Sequence, residues 1–202
     1  MSIVGLTGPN AAGKGEVANI LRARGYSYHS LSDVVREEAT LRGLDHTREN
    51  LIRVGNELRA AQGPGALAER IVAKIVGPGG AVPEERGSGS SPWLIHVPSG
   101  VNAIVDSIRN PAEVAVLRRL AGFVLVGVNA PIAVRFDRSR VRARAGDGTT
   151  LEEFARKESL ENSTDAAAQQ LTQTFMLADV VIDNSGTLSD LGARVAAALP
   201  PV

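Results

Sequence analysis

The stretch "GLTGPNAAGKGEVANIL", residues 5 to 21, decides the fold. It joins an apolar segment, typical of a buried strand over residues 2 to 7, to a segment with helical spacing that stops near Gly25. Gly8 and Gly13-Lys14 stand between the two. A glycine-rich turn in this context lets backbone N–H groups point at phosphate oxygens, and the helix N-terminus adds its positive dipole end. The stretch therefore predicts a phosphate-binding loop whose Lys14 ammonium reaches the outer phosphates of a nucleotide.

The position after the lysine departs from the usual loop. A Ser or Thr hydroxyl there ordinarily binds Mg²⁺, and Gly15-Glu16 cannot supply it. The alternative interpretation, a strand-to-helix turn with an accidental lysine, is disfavoured because both the spacing and the context fit phosphate binding. We predict that the cradle consists of Gly8, Asn10, Ala11, Ala12, Gly13, Lys14 and Gly15, with Glu16 beside it.

The amino-acid composition excludes several classes of protein and of site. The 202 residues, 44% of them hydrophobic, suit a single globular domain over residues 1–202. Lys plus Arg and Asp plus Glu are 22 each, so the net charge is zero and nucleic acid is the less favoured partner. The absence of cysteine excludes disulfides and thiolate metal sites. No apolar run approaches the roughly 20 residues of a membrane span, and we expect a soluble, cytoplasmic protein.

Strand and helix patterns alternate along the chain. Strands that are apolar on both faces and alternate with helices form parallel sheets covered on both sides, so we predict an α/β three-layer sandwich with about five parallel strands. The Gly/Pro/Ser-rich segment 77–92 is expected to be a flexible insertion. The predicted strands are 2–7, 26–31, 102–106, 123–128 and 179–183, and the predicted helices are 14–24, 32–41 with Ser32 as its cap, 48–61, 66–76 and 188–199.

Two stretches place charge where a ligand can lie. In "SLSDVVREEA", residues 30 to 39, Asp33 and Arg36 share a helix face, either as a site or as an ordinary ion pair. In "AIVDSIRNPAEV", residues 103 to 114, Asp106 ends a buried strand, where open α/β sheets hold their ligands. Asp106 can order metal-bound water or orient the acceptor group there; the alternative is that Asp106 caps the next helix and Arg109 is a surface charge.

A third stretch is strongly basic. "VRFDRSRVRARAGDG", residues 134 to 148, carries five arginines in an otherwise neutral chain. A polyanion such as the triphosphate of ATP explains this density, and a charged helix face is the alternative. The arginines are Arg135, Arg138, Arg140, Arg142 and Arg144.

These stretches resemble the P-loop nucleotide kinases, in particular the adenylate-kinase-like and dephospho-CoA-kinase-like nucleoside monophosphate kinases. Adenylate kinases carry Gly-Lys-Gly-Thr in the loop, dephospho-CoA kinases open with Gly-Leu-Thr-Gly, as residues 5 to 8 do here, and "ADVVIDNSGTLSDL", residues 178 to 191, resembles their closing segment. The family's Asp-Gly-x-x-Arg has Asp106 and Arg109 here, with Ser107 in place of glycine. "HSLSD" stands where dephospho-CoA kinases have Asp-x-Asp. The Gly-Lys-Gly-Glu loop and "SDVVREEA" are also similar to an archaeal kinase-like group.

The resemblance implies a role for each group. ATP lies on the loop, with Mg²⁺ held largely through water and Asp106. Asp33, Arg36 and Arg109 bind the acceptor, and the two arginines grip its phosphate. A helical lid supplies arginines to the transferring phosphoryl group, with Arg135 and Arg140 favoured. Asn184 and Gly186 approach the adenine.

Three functions are consistent with these residues. The first is an ATP-dependent nucleoside or deoxynucleoside monophosphate kinase. The second is a kinase of another acceptor, such as dephospho-CoA, a modified nucleotide or a modified base in DNA. The third is a noncatalytic nucleotide-sensing or partner-binding module, for which Glu16 is the main support.

Overall fold

The computed structural model describes residues 2–77, 94–142, 148–159, 162, 165 and 168–199. Strands and helices alternate through these residues, as the sequence predicts. The strands are β1 Ser2–Thr7, β2 Ser27–Ser30, β3 Asn102–Asp106, β4 Phe123–Asn129 and β5 Val180–Asp183. The helices are α1 Lys14–Ala23, α2 Leu31–Leu41, α3 Arg48–Gln62, α4 Ala66–Val76, α5 Pro111–Leu117, α6 Ile132–Arg142, α7 Leu151–Ser159, α8 Leu171–Met176 and α9 Leu188–Ala198.

The five strands form one parallel sheet in the order β2-β3-β1-β4-β5. β1 lies at the centre, with Ser2 opposite Asn102 of β3 and Ile3 opposite Phe123 of β4. The carboxyl ends of β1 and β3 are therefore neighbours at one edge of the sheet, where ligands bind in open α/β folds. The predicted α/β fold with a parallel five-stranded sheet is confirmed.

Helices cover both faces of the sheet, because each face is apolar. On one face, Val17 and Leu21 of α1 and Leu191 of α9 pack against Val4 and Leu6 of β1. The other face packs against apolar side chains of α2 to α5. The outcome is the predicted three-layer sandwich. Residues 134–142 of the basic segment lie on α6, which contacts α7 through the rings of Phe136 and Phe154, 5.9 Å apart.

The start of α2 differs from the sequence prediction. The cap of α2 is Ser30, not Ser32: the Ser30 hydroxyl accepts a hydrogen bond from the Ser32 backbone N–H. Strand β2 runs directly into α2 without a loop, so one serine both ends the strand and caps the helix. Several other element ends differ by one residue.

The predicted insertion at 77–92 lies almost wholly outside the described residues, apart from Gly77, which follows α4. Arg144 also lies outside them. Within the described ranges, no helix has both the length and the apolar character of a membrane span.

Candidate active site

The phosphate loop between β1 and α1 has a conformation that needs its glycines. Gly8 and Gly13 have φ values of 132° and 101°, a region that residues with a Cβ rarely adopt. A Cβ on Gly8 would collide with the carbonyl oxygen of Val128, and a Cβ on Gly13 with the side-chain amide of Asn184. The chain therefore turns sharply between the centre of the sheet and α1, as the motif predicts.

Lys14 begins α1 and turns back over this loop. Its Nζ donates to the carbonyl oxygens of Gly8 at 2.7 Å and Pro9 at 3.0 Å. The positive charge is thus held over the cradle, beside the helix N-terminus. Gly15 and Glu16 are exposed in the first turn of α1.

Asn184, predicted to approach the adenine, is hydrogen-bonded to the phosphate loop. Its backbone N–H donates to the Asn129 carbonyl at 2.7 Å, and its buried Nδ2 donates to the Ala12 carbonyl at 2.9 Å. Gly186 lies against the carboxylate of Asp190, which belongs to the capping box of α9. Contact of either residue with adenine stays a prediction.

Asp106 lies at the end of β3, beside the loop. Its Oδ2 accepts from the Tyr28 hydroxyl at 2.8 Å, and its Oδ1 accepts from the Ser107 N–H at 2.6 Å. Burial, and secondarily the Asp106 charge, raise the pKa of Tyr28 well above its ordinary value, so the hydroxyl stays protonated and donates at neutral pH. The alternative that Asp106 caps the next helix is wrong, because Asn110 caps α5.

Ser107 has a φ of 66°, in the left-handed region that favours glycine. The resemblance places a glycine at this position. Strand β3 is therefore followed by a turn in which a serine adopts a conformation that glycine adopts more readily.

A cavity of about 320 Å³ opens beside the loop. One part of its wall is apolar and another carries four arginines, while none of the described residues that line it is acidic. Both predicted acceptor arginines line it, and so does Asn10 of the phosphate loop. The lining consists of Asn10, Leu31, Ser32, Val35, Arg36, His46, Thr47, Arg48, Leu51, Ile52, Gly55, Arg59, Leu67, Ser107, Arg109 and Gln169.

The ion pair of Asp33 and Arg36 is present, and their role in binding an acceptor stays a prediction. Arg36 Nη1 bonds to Asp33 Oδ1 at 2.8 Å, an exposed i,i+3 ion pair, and Arg36 also lines the cavity. Asp33 does not line it. Arg109 is half-buried, donates to Gln169 Oε1 at 3.3 Å and also lines the cavity.

Sequence reasoning missed a buried ion pair beneath this wall. Arg59 of α3 is 4% exposed and Glu113 of α5 is fully buried. Arg59 donates from Nε at 3.0 Å and Nη2 at 2.7 Å to Glu113 Oε1, while Oε2 accepts the N–H groups of Arg109 at 2.9 Å and Asn110 at 3.1 Å. One signal was available: Leu51, Gly55 and Arg59 are spaced four apart, so an arginine shares a helix face with an apolar residue.

The arginines of α6 have different surroundings. Arg135 is buried, pairs with Glu158 of α7, and donates to the Asn10 carbonyl at 3.2 Å, so it joins α7 to the phosphate loop. Arg142 also reaches the loop, at Asn10 Oδ1. Arg140 lies over the Phe136 ring. The remaining one, Arg138, has a buried Nη1 with no hydrogen-bond partner among the described residues, a donor suited to an anion. The roles of Arg135 and Arg140 in transfer stay predictions.

The residues at this edge fit a magnesium ion that is bound mainly by a nucleotide and water. Mg²⁺ keeps several waters and typically takes one or two carboxylates plus substrate phosphates. Among the described residues no group of three or more acidic or histidine side chains could hold a metal by itself. Asp106, at the end of β3 beside the phosphate loop, is the carboxylate placed to serve through water.

Comparison with solved structures identifies the fold. Shikimate kinase from Bacteroides thetaiotaomicron superposes with a TM-score of 0.54 at 12% identity, covering 98% of each chain. Shikimate kinase from Acinetobacter baumannii, in complex with shikimate, superposes with a TM-score of 0.53 at 11% identity, covering 98% of this chain and 93% of that one. At such low identity these likenesses show the fold alone, an α/β P-loop fold that the chain shares with these two proteins.

Comparison of sequences then gives the family. A UPF0200 protein of Hyperthermus butylicus is 32% identical over 192 residues, 95% of this chain and 90% of that protein. A UPF0200 protein of Pyrococcus horikoshii is 31% identical over 196 residues, 96% and 93%. The chain belongs to the UPF0200 family. It also matches a UPF0200/UPF0201 protein of Archaeoglobus fulgidus at 32% identity, but spans only 54% of that protein's length. No family model matches the chain.

Proposed function

We propose that this protein is an ATP-dependent phosphotransferase that acts on a small anionic acceptor, best described as a nucleoside or deoxynucleoside monophosphate. One observation carries the proposal: the arginine-lined cavity reaches Asn10 of the phosphate loop. A donor nucleotide on the loop and an acceptor in the cavity would be neighbours, as transfer requires.

The cavity's lining favours a phosphate acceptor over a hydroxyl acceptor. A phosphate monoester is largely ionised at neutral pH, whereas a hydroxyl must lose a proton to a base during transfer. No carboxylate stands among the described residues of the lining, and His46 Nε2 is already hydrogen-bonded to the Thr40 hydroxyl at 2.9 Å. The apolar side chains Leu51 and Ile52 supply a surface for a base or sugar.

The transfer itself needs positioning and neutralisation of charge. An acceptor phosphate oxygen attacks the γ-phosphorus of ATP; the new P–O bond forms as the bond to ADP breaks, leaving a nucleoside diphosphate and ADP. Mg²⁺ bound to the nucleotide would offset its phosphate charge. Lys14 holds the outer phosphates, Arg36 and Arg109 hold the acceptor in line, and Arg138 or Arg140 of α6 offers further positive charge.

Steady-state kinetics test the acceptor site. With ribo- and deoxynucleoside monophosphates and dephospho-CoA as candidates, we expect ATP-dependent product from a monophosphate and none from dephospho-CoA, which presents a hydroxyl. Arg36→Ala should raise the KM of the acceptor far more than that of ATP. Acceptor kinetics unchanged by Arg36→Ala would show that the acceptor binds elsewhere.

A further inference from the structure

We propose that α3 carries a second anion subsite in the acceptor cavity, formed by Arg59 Nη1 and the space beside Gly55. This inference rests on the proposed function and narrows it. The acceptor would carry a second anionic group, a carboxylate or a phosphate, besides the one that Arg36 and Arg109 bind.

The first support is the unused donor of Arg59. The Arg59 side chain is only 4% exposed, yet it lines the cavity. Nε and Nη2 are committed to Glu113, while among the described residues Nη1 donates no hydrogen bond. A guanidinium buried at a cavity wall with one end fixed presents its other end in a set direction, which suits an incoming anion.

The second support is Gly55, one helical turn before Arg59. A glycine inside a helix is unfavourable relative to alanine, and packing does not require one here. An alanine Cβ would meet Val35 at 3.5 Å, an ordinary contact, and would lie 3.4 Å from Arg59 Nη1. What the glycine provides is therefore access to that nitrogen from the cavity, which Gly55 itself lines.

The third support is the position of Arg59 relative to the other arginines. Arg36 lies on α2 and Arg109 follows β3, whereas Arg59 belongs to α3. A single phosphate is satisfied by two arginine forks. A third fork on another element therefore fits a second anionic group on the same ligand, and the described residues of the lining include no carboxylate.

Binding measured without ATP tests this subsite separately from catalysis. The probes are uridine 5′-monophosphate, orotidine 5′-monophosphate, which adds a ring carboxylate, and uridine 3′,5′-bisphosphate, which adds a phosphate. Titrations are followed by calorimetry and by the ¹⁵N NMR signal of Arg59 Nε, assigned from its loss in Arg59→Lys. We expect at least one doubly anionic probe to bind roughly 10- to 100-fold more tightly than uridine monophosphate and to shift the Arg59 signal. Tighter binding of orotidine monophosphate would show that the second anionic group is a carboxylate, and tighter binding of uridine bisphosphate that it is a phosphate.

The matched variants are Gly55→Ala and Gly192→Ala. Gly192 is inside α9, where an added Cβ meets nothing within 4 Å. Both substitutions should raise the melting temperature, but only Gly55→Ala should abolish the preference for the doubly anionic probe. Equal binding of all three probes, an unmoved Arg59 signal, or a preference that survives Gly55→Ala would overturn the proposal. A failed transfer assay would not, because these measurements involve no transfer.

Discussion

Glu113→Gln is the substitution whose effect the structure determines most sharply. The carboxylate is fully buried and accepts four hydrogen bonds: two from Arg59 at Oε1, and the backbone N–H groups of Arg109 and Asn110 at Oε2. Glutamine has the same shape but only one acceptor oxygen, and its amide group is itself a donor. Its oxygen can therefore accept from one pair of donors, either the Arg59 guanidinium or the backbone N–H groups of Arg109 and Asn110. Its NH₂ group must then point its hydrogens at the other pair of donors.

The expected loss of stability is large. Removing one partner of a buried ion pair costs about 3–5 kcal/mol, because the remaining charge stays buried without compensation. Here the uncompensated group is the Arg59 guanidinium, because glutamine carries no charge whichever way its amide turns. If the amide oxygen stays with Arg59, the N–H groups of Arg109 and Asn110 lose their acceptor and the capping box of α5 is lost as well. In a chain of this size, about 1 kcal/mol corresponds to roughly 2–4 °C, so the melting temperature should fall by about 6–20 °C.

Urea denaturation followed by circular dichroism measures this loss. The matched control is Glu37→Gln, which removes the charge from an exposed pair with Lys74 at 2.9 Å and should change the free energy of unfolding by less than about 1 kcal/mol. A Glu113→Gln protein as stable as the Glu37→Gln protein would refute the account of this pair as the buried support of the cavity wall.

Three further predictions concern the edge of the sheet. Ser107→Gly removes a left-handed serine and should raise the free energy of unfolding by up to about 1 kcal/mol, measured by the urea midpoint; a lower midpoint would contradict the strain. Gly13→Ala should abolish ATP binding in calorimetry, since its Cβ has no room. Gly15→Ala, with open space around it, should fold and be at least as stable as wild type. A Gly13→Ala protein that binds ATP like wild type, or a Gly15→Ala protein that is less stable than wild type, would contradict the loop geometry. Tyr28→Phe removes the hydrogen bond that orients Asp106. The fold should be unchanged, and the Mg²⁺ concentration for half-maximal transfer should rise by about tenfold. An unaltered Mg²⁺ dependence would show that Asp106 is not part of the metal site.

The sheet and the phosphate loop could be predicted from the sequence because their signals are local. β1 and β3 are continuous apolar runs whose ends were predicted correctly, and the spacing of Gly8, Gly13 and Lys14 is fixed by the turn itself. The cap of α2 could not be located in this way. β2 passes into α2 without a loop, so either of two nearby serines fits the pattern.

Contacts within the site could be predicted only where both residues lie on the same helix or strand. Asp33 and Arg36 lie three apart on one helix, and their pairing follows from that spacing. Arg59 and Glu113 are 54 residues apart, and Asn184 reaches Ala12 across 172 residues. Nothing local connects such partners, so the pair beneath the cavity and the support of the loop appear only once the sheet is assembled.

Lys14→Ala tests the central claim, that the loop and the cavity together transfer a phosphoryl group. Labelled ATP with Mg²⁺ is offered to wild type and variant with a panel of ribo- and deoxynucleoside monophosphates, dephospho-CoA and modified-base DNA. We expect wild type to label a nucleoside monophosphate and Lys14→Ala, folded as shown by an unchanged circular dichroism spectrum, to label nothing. Wild-type protein that binds ATP tightly but labels no acceptor, or Lys14→Ala protein that labels one as fast as wild type, would contradict the account.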